Sequence, residues 1–173
     1  MSSVGHLLVG AAASRYALPT DSGRRRLALA VLLTGIAIAT DLDLVVLPAL
    51  GVPESLTLGH RGATHSLVVA LAVVLIVTLL AKIVRVPARR VAIGAFLAIG
   101  SHAILDSVTP GPGVAWLWPF TPMRFPTFPI LPMAQPDHLL SISGMSMLLA
   151  EIVVFSPLLA YAIFSGRATL RKM

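Results

Sequence analysis

Long apolar segments separated by short basic clusters are the feature that most limits what this chain can fold into. The segment 64–84 has no charged residue before Lys82, and its length is close to the ~20 residues that a membrane-spanning helix needs. Only 12% of the 173 residues are charged, about half of the roughly 25% that is usual in soluble domains. The sequence therefore predicts an integral membrane protein.

Five apolar segments can be recognised, at residues 4–18, 27–47, 64–84, 91–108 and 138–164. The first is short for a membrane span, so it is expected to be tilted, half-buried or packed inside the others. A Pro-rich stretch at 109–137 cannot be helical, because proline lacks the backbone N–H that a helix needs. We predict an all-α fold, a polytopic membrane bundle of about five helices with a long Pro-rich outer loop, forming a single domain over residues 1–173.

Three basic clusters orient this bundle. They comprise Arg24, Arg25 and Arg26; Lys82, Arg85, Arg89 and Arg90; and Arg167, Arg171 and Lys172. With five spans they all fall on one side, which the positive-inside rule makes cytoplasmic. The net charge of +6 is explained by orientation in a membrane, so a nucleic-acid partner is not expected.

The histidines and several aspartates fall at the opposite, outer ends of the same segments. These residues are His6, Asp41, Asp43, His60, His65, His102, Asp106 and His138. His138 follows Pro136-Asp137, a pair typical of a turn and helix start, and is interpreted as an interfacial residue. The others predict a site at the outer face of the membrane.

Small residues indicate which helix faces turn inward. In the fourth segment, Gly94 and Ala98 lie on the same helical face as His102 and Asp106. The first and second segments carry similar rows, His6–Gly10–Ser14 and Gly35–Ala39–Asp43. Small residues let membrane helices approach closely, so these rows are predicted to face the bundle interior. His65 departs from the pattern, because the next residue on its helical face is Val69, which is not a small residue. In the second segment, a regular helix cannot point both Asp41 and Asp43 inward.

The clustered His and Asp side chains predict a metal site. His102 and Asp106 are spaced so that both can reach one ion from one helical face. The predicted ligands are His6, Asp41, Asp43, His60, His65, His102 and Asp106. The chain has no cysteine, and a mixture of imidazole and carboxylate suits a divalent transition metal, zinc first and manganese or iron as alternatives. Seven ligands exceed one tetrahedral site, so one or two ions are expected.

Other polar residues have two interpretations each. Asp41 and Asp43 are each a ligand or a catalytic base. Arg61 either pairs with a substrate anion or is an ordinary interfacial cation. Glu151 lies about 13 residues into the fifth segment, where a carboxylate is either functional or bonded to a neighbouring helix. Aromatic residues in the Pro-rich stretch either anchor it at the membrane interface or form a lid for a lipid.

These motifs resemble a known family. They are His6-x3-Gly10, Asp41-x-Asp43, the block His60-Arg-Gly-x-Thr-His-Ser66, and His102-x3-Asp106 followed by a Thr-Pro stretch. Together, over roughly residues 1–125, they resemble the YdjM-type inner-membrane family, whose members are described as metal-dependent hydrolases. The resemblance implies a multi-pass protein of the inner (plasma) membrane. Thr40 stands where that family often has proline, and the order Asp, His, His-x3-Asp also resembles secreted zinc-dependent phospholipases C.

The sequence thus predicts a membrane-bound metal-dependent hydrolase. Its expected partner is a membrane lipid or lipid-linked substrate, whose ester or phosphoester would be hydrolysed by metal-activated water. The expected catalytic residues are Asp41, Asp43 and Arg61. The alternative is a membrane transporter or metal-binding protein without hydrolytic activity, and a transporter would favour polar residues through the full depth of the bundle.

Overall fold

The computed structural model describes residues 3–18, 23–53, 58–130 and 142–164. It contains the helices α1 (Ser3–Ala17), α2 (Arg24–Ala39), α3 (Asp43–Ala49), α4 (Leu67–Ile83), α5 (Ala88–Ser107) and α6 (Ile142–Phe164). A 3-10 turn at Thr40–Leu42 joins α2 to α3, so the described residues form five helical rods. Within the described ranges the one β-type pairing is an isolated bridge between Val114 and Phe125. The predicted all-α bundle with a short first helix is confirmed, whereas His138 lies outside the described residues.

Two of the described helices are long and apolar enough to cross a membrane. They are the continuous rod Arg24–Ala49 and the helix Ala88–Ser107. Leu67–Ile83 and Leu148–Phe164 are apolar but shorter. Large hydrophobic side chains such as Leu75, with 59% of its surface exposed, project outward from α4. Apolar side chains of this kind suit contact with lipid tails. The helical backbone also suits a lipid environment, because it satisfies its own polar groups there.

Helix α1 is packed inside the bundle, where it contacts α2, α5 and α6. The approach of α1 to α2 depends on Gly10, because a Cβ there would lie 2.5 Å from the Cα of Thr34. On α5, a Cβ at Gly94 would lie 3.1 Å from the carbonyl oxygen of Ala13. The small-residue rows predicted for α1 and α5 therefore do face inward, and they let the helix ends that carry His6 and His102 meet.

The row predicted for α2 is wrong. Ala39 is exposed and a Cβ at Gly35 would meet no atom within 4 Å, whereas Leu33 and Ala37 are fully buried. Asp43 is nevertheless buried. The physical reason is the 3-10 turn, which advances about 120° per residue instead of about 100° and so changes the face that later residues occupy.

The described part of the Pro-rich stretch folds over one end of the bundle. The amide of Phe128 donates to the carbonyl of Ser107, at a distance of 2.7 Å, so the stretch returns to the end of α5. The amide of Leu67 donates to the carbonyl of Trp116, which ties the stretch to the start of α4. The segment before α4, which carries two histidines, is thereby held against α5.

Candidate metal centre

Three separate elements bring together four side chains that could bind a metal ion. Asp41 comes from the 3-10 turn after α2, His65 from a second 3-10 turn at Ala63–His65, and His102 and Asp106 from α5. One ligand atom of each lies within 4.8 Å of the other three. These four side chains, which we call the inner group, were all predicted as ligands.

The spacing in the inner group is close to that of a tetrahedral metal site. His65 Nε2 lies 3.2 Å from Asp106 Oδ2 and 3.9 Å from Asp41 Oδ1. His102 Nε2 lies 3.1 Å from Asp41 Oδ1 and 3.5 Å from Asp106 Oδ2. Zinc bonds of about 2.0–2.2 Å in tetrahedral geometry place neighbouring ligand atoms about 3.3–3.6 Å apart. The four atoms therefore surround a space of the right size for a divalent transition metal.

Unsatisfied polar atoms point into the same space. Among the described residues, His65 Nε2 and Asp106 Oδ2 are buried without a hydrogen-bond partner. His102 Nδ1 lies 2.6 Å from the carbonyl oxygen of Ala37, so this nitrogen is the donor and Nε2 remains for a ligand bond. Buried polar atoms without partners are costly, and the chemistry of this donor set fits a metal ion.

A second group lies on the far side of His65 and consists of Asp43, His60 and Thr64 around the His65 ring. Asp43 Oδ1 lies 2.7 Å from His60 Nδ1, and Asp43 Oδ2 lies 3.4 Å from His65 Nδ1. Thr64 donates its hydroxyl to Asp43 Oδ2 at 2.5 Å. We call Asp43, His60 and Thr64 the outer group. The ring of His65 lies between the two groups, and Asp43, His60 and His65 form a second set of residues that could bind an ion.

Carboxylates on both sides control the charge of His65. Burial opposes protonation, but Asp106, Asp41 and Asp43 outweigh burial and raise the pKa of this imidazole to about 10. A metal-free His65 is therefore charged at neutral pH. Metal ligands have to be deprotonated, so an ion that binds at Nε2 displaces a proton from it.

Both aspartates of the Asp-x-Asp motif reach the site, which a regular helix would not allow. Two residues apart, side chains diverge by about 160° in an α-helix and by about 120° in a 3-10 turn. The turn at Thr40–Leu42 therefore lets Asp41 face the inner group while Asp43 reaches the outer group. The side chain of Asp41 is 20% exposed and that of Asp43 only 2%, so Asp41 stands at the open edge.

His6 approaches the site from α1 but lies outside the inner group. Its ring stacks on that of His102, with centroids 3.8 Å apart. The side chain is fully buried, and in the described part of the chain neither ring nitrogen has a hydrogen-bond partner. The role of His6 as a ligand stays a prediction.

Arg61 is buried behind Asp106. Its two terminal nitrogens make four hydrogen bonds, to Asp106 O, Asp106 Oδ1, Thr109 Oγ1 and Pro110 O, at distances of 3.0–3.4 Å. The residue is 2% exposed and has a left-handed backbone, with φ of 60°. This geometry favours a structural role that holds the end of α5, and binding of a substrate anion stays a prediction.

Two contributors were not singled out as site residues from the sequence. Thr64 donates its hydroxyl to Asp43, whereas the neighbouring Ser66 caps α4 by accepting from the amide of Val69. The carbonyl of Ala37 orients His102, and no sequence pattern marks a carbonyl. Glu151 is 7% exposed and belongs to neither group, so its role stays open to both interpretations.

The comparisons with known proteins agree with the motifs. The model of the YdjM inner membrane protein family matches residues 1–170. The chain belongs to this family. The resemblance predicted from four short motifs is thus confirmed, and the protein is an inner membrane protein with a cluster of residues that could bind a metal ion.

A relative of the chain is also described as an inner membrane protein. The chain is similar to "Inner membrane protein YbcI" of Escherichia coli (strain K12), with 40% identity over 98 residues. The matched region is 55% of this chain and 57% of the relative, so the chain spans little more than half the length of that relative. No solved structure matches the chain.

Proposed function

We propose that this protein is a membrane-bound metal-dependent hydrolase that acts on an ester or phosphoester of a lipid or lipid-linked substrate. The observation that carries the proposal is the inner group, in which two imidazole nitrogens and two carboxylate oxygens lie within 4.8 Å of one another. A divalent transition metal supplies Lewis acidity when bound, which polarises a carbonyl or phosphoryl oxygen and lowers the pKa of water.

The protein's own residues divide the remaining work. His65, His102 and Asp106 have side chains that are 0–2% exposed, so they would hold the ion and exclude water from behind it. Asp41 is the ligand at the open edge, where substrate arrives, and its carboxylate is placed to accept a proton from an attacking water molecule. Asp43 lies behind the His65 ring, so it is a poor candidate for the base.

Apolar surface near the site supports a lipid substrate. The stretch after Thr109 ties to the site through Arg61, whose carbonyl accepts from the amide of Ala115. The same stretch exposes Phe120 by 83% and Phe128 by 70%. Aromatic side chains of this kind settle at the membrane interface. A site beside such an interface can receive a polar head group while the apolar chains of the substrate remain in the bilayer.

The first prediction tests metal and hydrolysis together. Purified full-length protein should bind about one equivalent of Zn²⁺, and His102→Ala should lose most of it because Nε2 is a ligand. In liposomes the wild type should release a head group or phosphate, which mass spectrometry detects. This release should stop with chelator and return with metal.

Ile104→Ala is the matched control, because Ile104 lies on α5 between His102 and Asp106 with 57% of its surface exposed. It should behave as the wild type. If the metal-loaded wild type hydrolyses no lipid or lipid-linked ester but moves metal across the bilayer, the transport alternative replaces the hydrolase. If His102→Ala retains full metal, the inner group is not the site.

A further inference from the structure

His65 is shared by both groups of potential ligands, and this limits how many ions the site can hold. Its Nε2 faces Asp106 and Asp41 in the inner group, and its Nδ1 faces Asp43 and Thr64 in the outer group. A neutral imidazole has one N–H and one lone pair. It can therefore serve an ion on one side only, and the other nitrogen has to donate a hydrogen bond.

The Thr64 hydroxyl decides which nitrogen carries the proton. A hydroxyl has a single proton to donate, and Thr64 donates it to Asp43 Oδ2 at 2.5 Å. His65 Nδ1 lies 3.0 Å from the same Thr64 oxygen, which can then only accept. Nδ1 therefore keeps its proton, and the proton that an incoming ion displaces is the one on Nε2, which faces the inner group.

Asp43 is held in place by a further contact, with His60. His60 Nδ1 lies 2.7 Å from Asp43 Oδ1, on the oxygen that Thr64 does not use. The side chain of Asp43 is 2% exposed and that of His60 is 14% exposed. With donors on both oxygens, this buried carboxylate is held in one orientation, and its oxygens are already committed to Thr64 and His60.

We propose that Asp43 is a positioning residue and not a metal ligand. Through the Thr64 hydroxyl it keeps the proton of His65 on Nδ1, which leaves Nε2 for one ion in the inner group. The inference rests on the metal site of the proposed function. A histidine ligand commonly donates its second N–H to a carboxylate or another acceptor, which raises its basicity, and loss of that partner typically weakens metal affinity 10–100-fold.

The second prediction compares variants by Zn²⁺ and Co²⁺ titration of the full chain in detergent micelles. Asp43→Asn should weaken affinity about 10–100-fold, because its amide can donate to Thr64 and so place the His65 proton on Nε2. Thr64→Val should weaken affinity in the same direction, and Thr64→Ser should restore it. Because no ligand is lost, saturated Co²⁺ forms of all variants should keep the wild-type absorption spectrum and one ion per chain.

Thr78→Val is the matched control, since the Thr78 hydroxyl bonds to the carbonyl of Val74 within α4 and should leave affinity unchanged. The proposal is overturned by two ions in the wild type and one in Asp43→Asn, or by wild-type affinity in Thr64→Val. Thr64→Val decides the question should Asp43→Asn not fold. None of these readouts requires hydrolysis, so failure of the hydrolase proposal would leave this result standing.

Discussion

At the scale of single residues, each buried ligand in the inner group has its own orienting partner. His65 has Thr64 and Asp43, and His102 has the carbonyl of Ala37. The third partner is Arg61, which reaches Asp106 Oδ1 at 3.4 Å and leaves Oδ2 facing His65. Outer partners of this kind determine where a ligand points before any ion arrives.

The third prediction concerns Arg61. Arg61→Ala should lower the free energy of unfolding by about 3–5 kcal/mol, because it removes one partner of the buried ion pair that Arg61 forms with Asp106. Metal affinity should fall with it. Arg61→Lys should recover little, since one ammonium cannot reproduce a planar guanidinium that contacts several acceptors. Chemical denaturation in micelles and Zn²⁺ titration measure the two effects.

Arg90→Ala removes an exposed arginine from the other end of α5 and is the control for loss of charge. Anion binding would be favoured instead if Arg61→Ala retained the stability and metal affinity of the wild type while KM rose only for anionic substrates.

At the scale of helices, the close approach of α1 to α2 sets where the ends of the bundle meet. A Cβ at Gly10 would lie 2.5 Å from Thr34 Cα and 3.0 Å from the carbonyl oxygen of Leu33. These are backbone atoms, which cannot move aside as a flexible side chain would. Membrane helices associate through such small-residue contacts, because the lipid gives no hydrophobic driving force between helices.

The fourth prediction follows from this contact. Gly10→Ala should force the two helices apart and cost about 1–3 kcal/mol of stability, as overpacking does in other tight interfaces. Gly35→Ala is the matched control on α2, since a Cβ there meets nothing within 4 Å. Thermal unfolding in micelles should separate the two variants, and equal melting temperatures would contradict the packing argument.

At the scale of the whole molecule, charge and site lie at opposite ends of the same helices. Arg24, Arg25 and Arg26 form the first turn of α2, and Asp41 lies two residues after its last residue, Ala39. In α5, Arg89 and Arg90 lie in the first turn and Asp106 near the end. We propose from the positive-inside rule that the chain crosses the membrane several times and that the site is at the outer face.

The fifth prediction tests this orientation. The chain has no native cysteine, so single cysteines can be labelled without background. Pro126→Cys, in the stretch that covers the site, should react with an impermeant thiol reagent in intact spheroplasts. Ala88→Cys, at the start of α5, should react only after the membrane is permeabilised. The reverse pattern would place the metal centre on the cytoplasmic side.

The sequence alone was sufficient for the fold class, the family and the convergence of His and Asp residues. Apolar segments of membrane length and basic clusters limit a chain to helices with a common orientation, because unpaired backbone groups are not tolerated in lipid. The inward faces of α1 and α5 also followed from their small residues. These properties depend on composition and on spacing within one helix, and both can be read directly from the residues.

Only the tertiary structure decided which ligands share one space. The inward face of α2 was predicted wrongly, and Asp43 is buried all the same because the 3-10 turn that carries Asp41 changed the angle per residue between α2 and Asp43. The division between the inner and outer groups depends on which nitrogen of His65 meets which neighbour. Such choices are made by contacts between residues far apart in the chain, as in the hydrogen bond from His102 to the carbonyl of Ala37, and no local pattern encodes them.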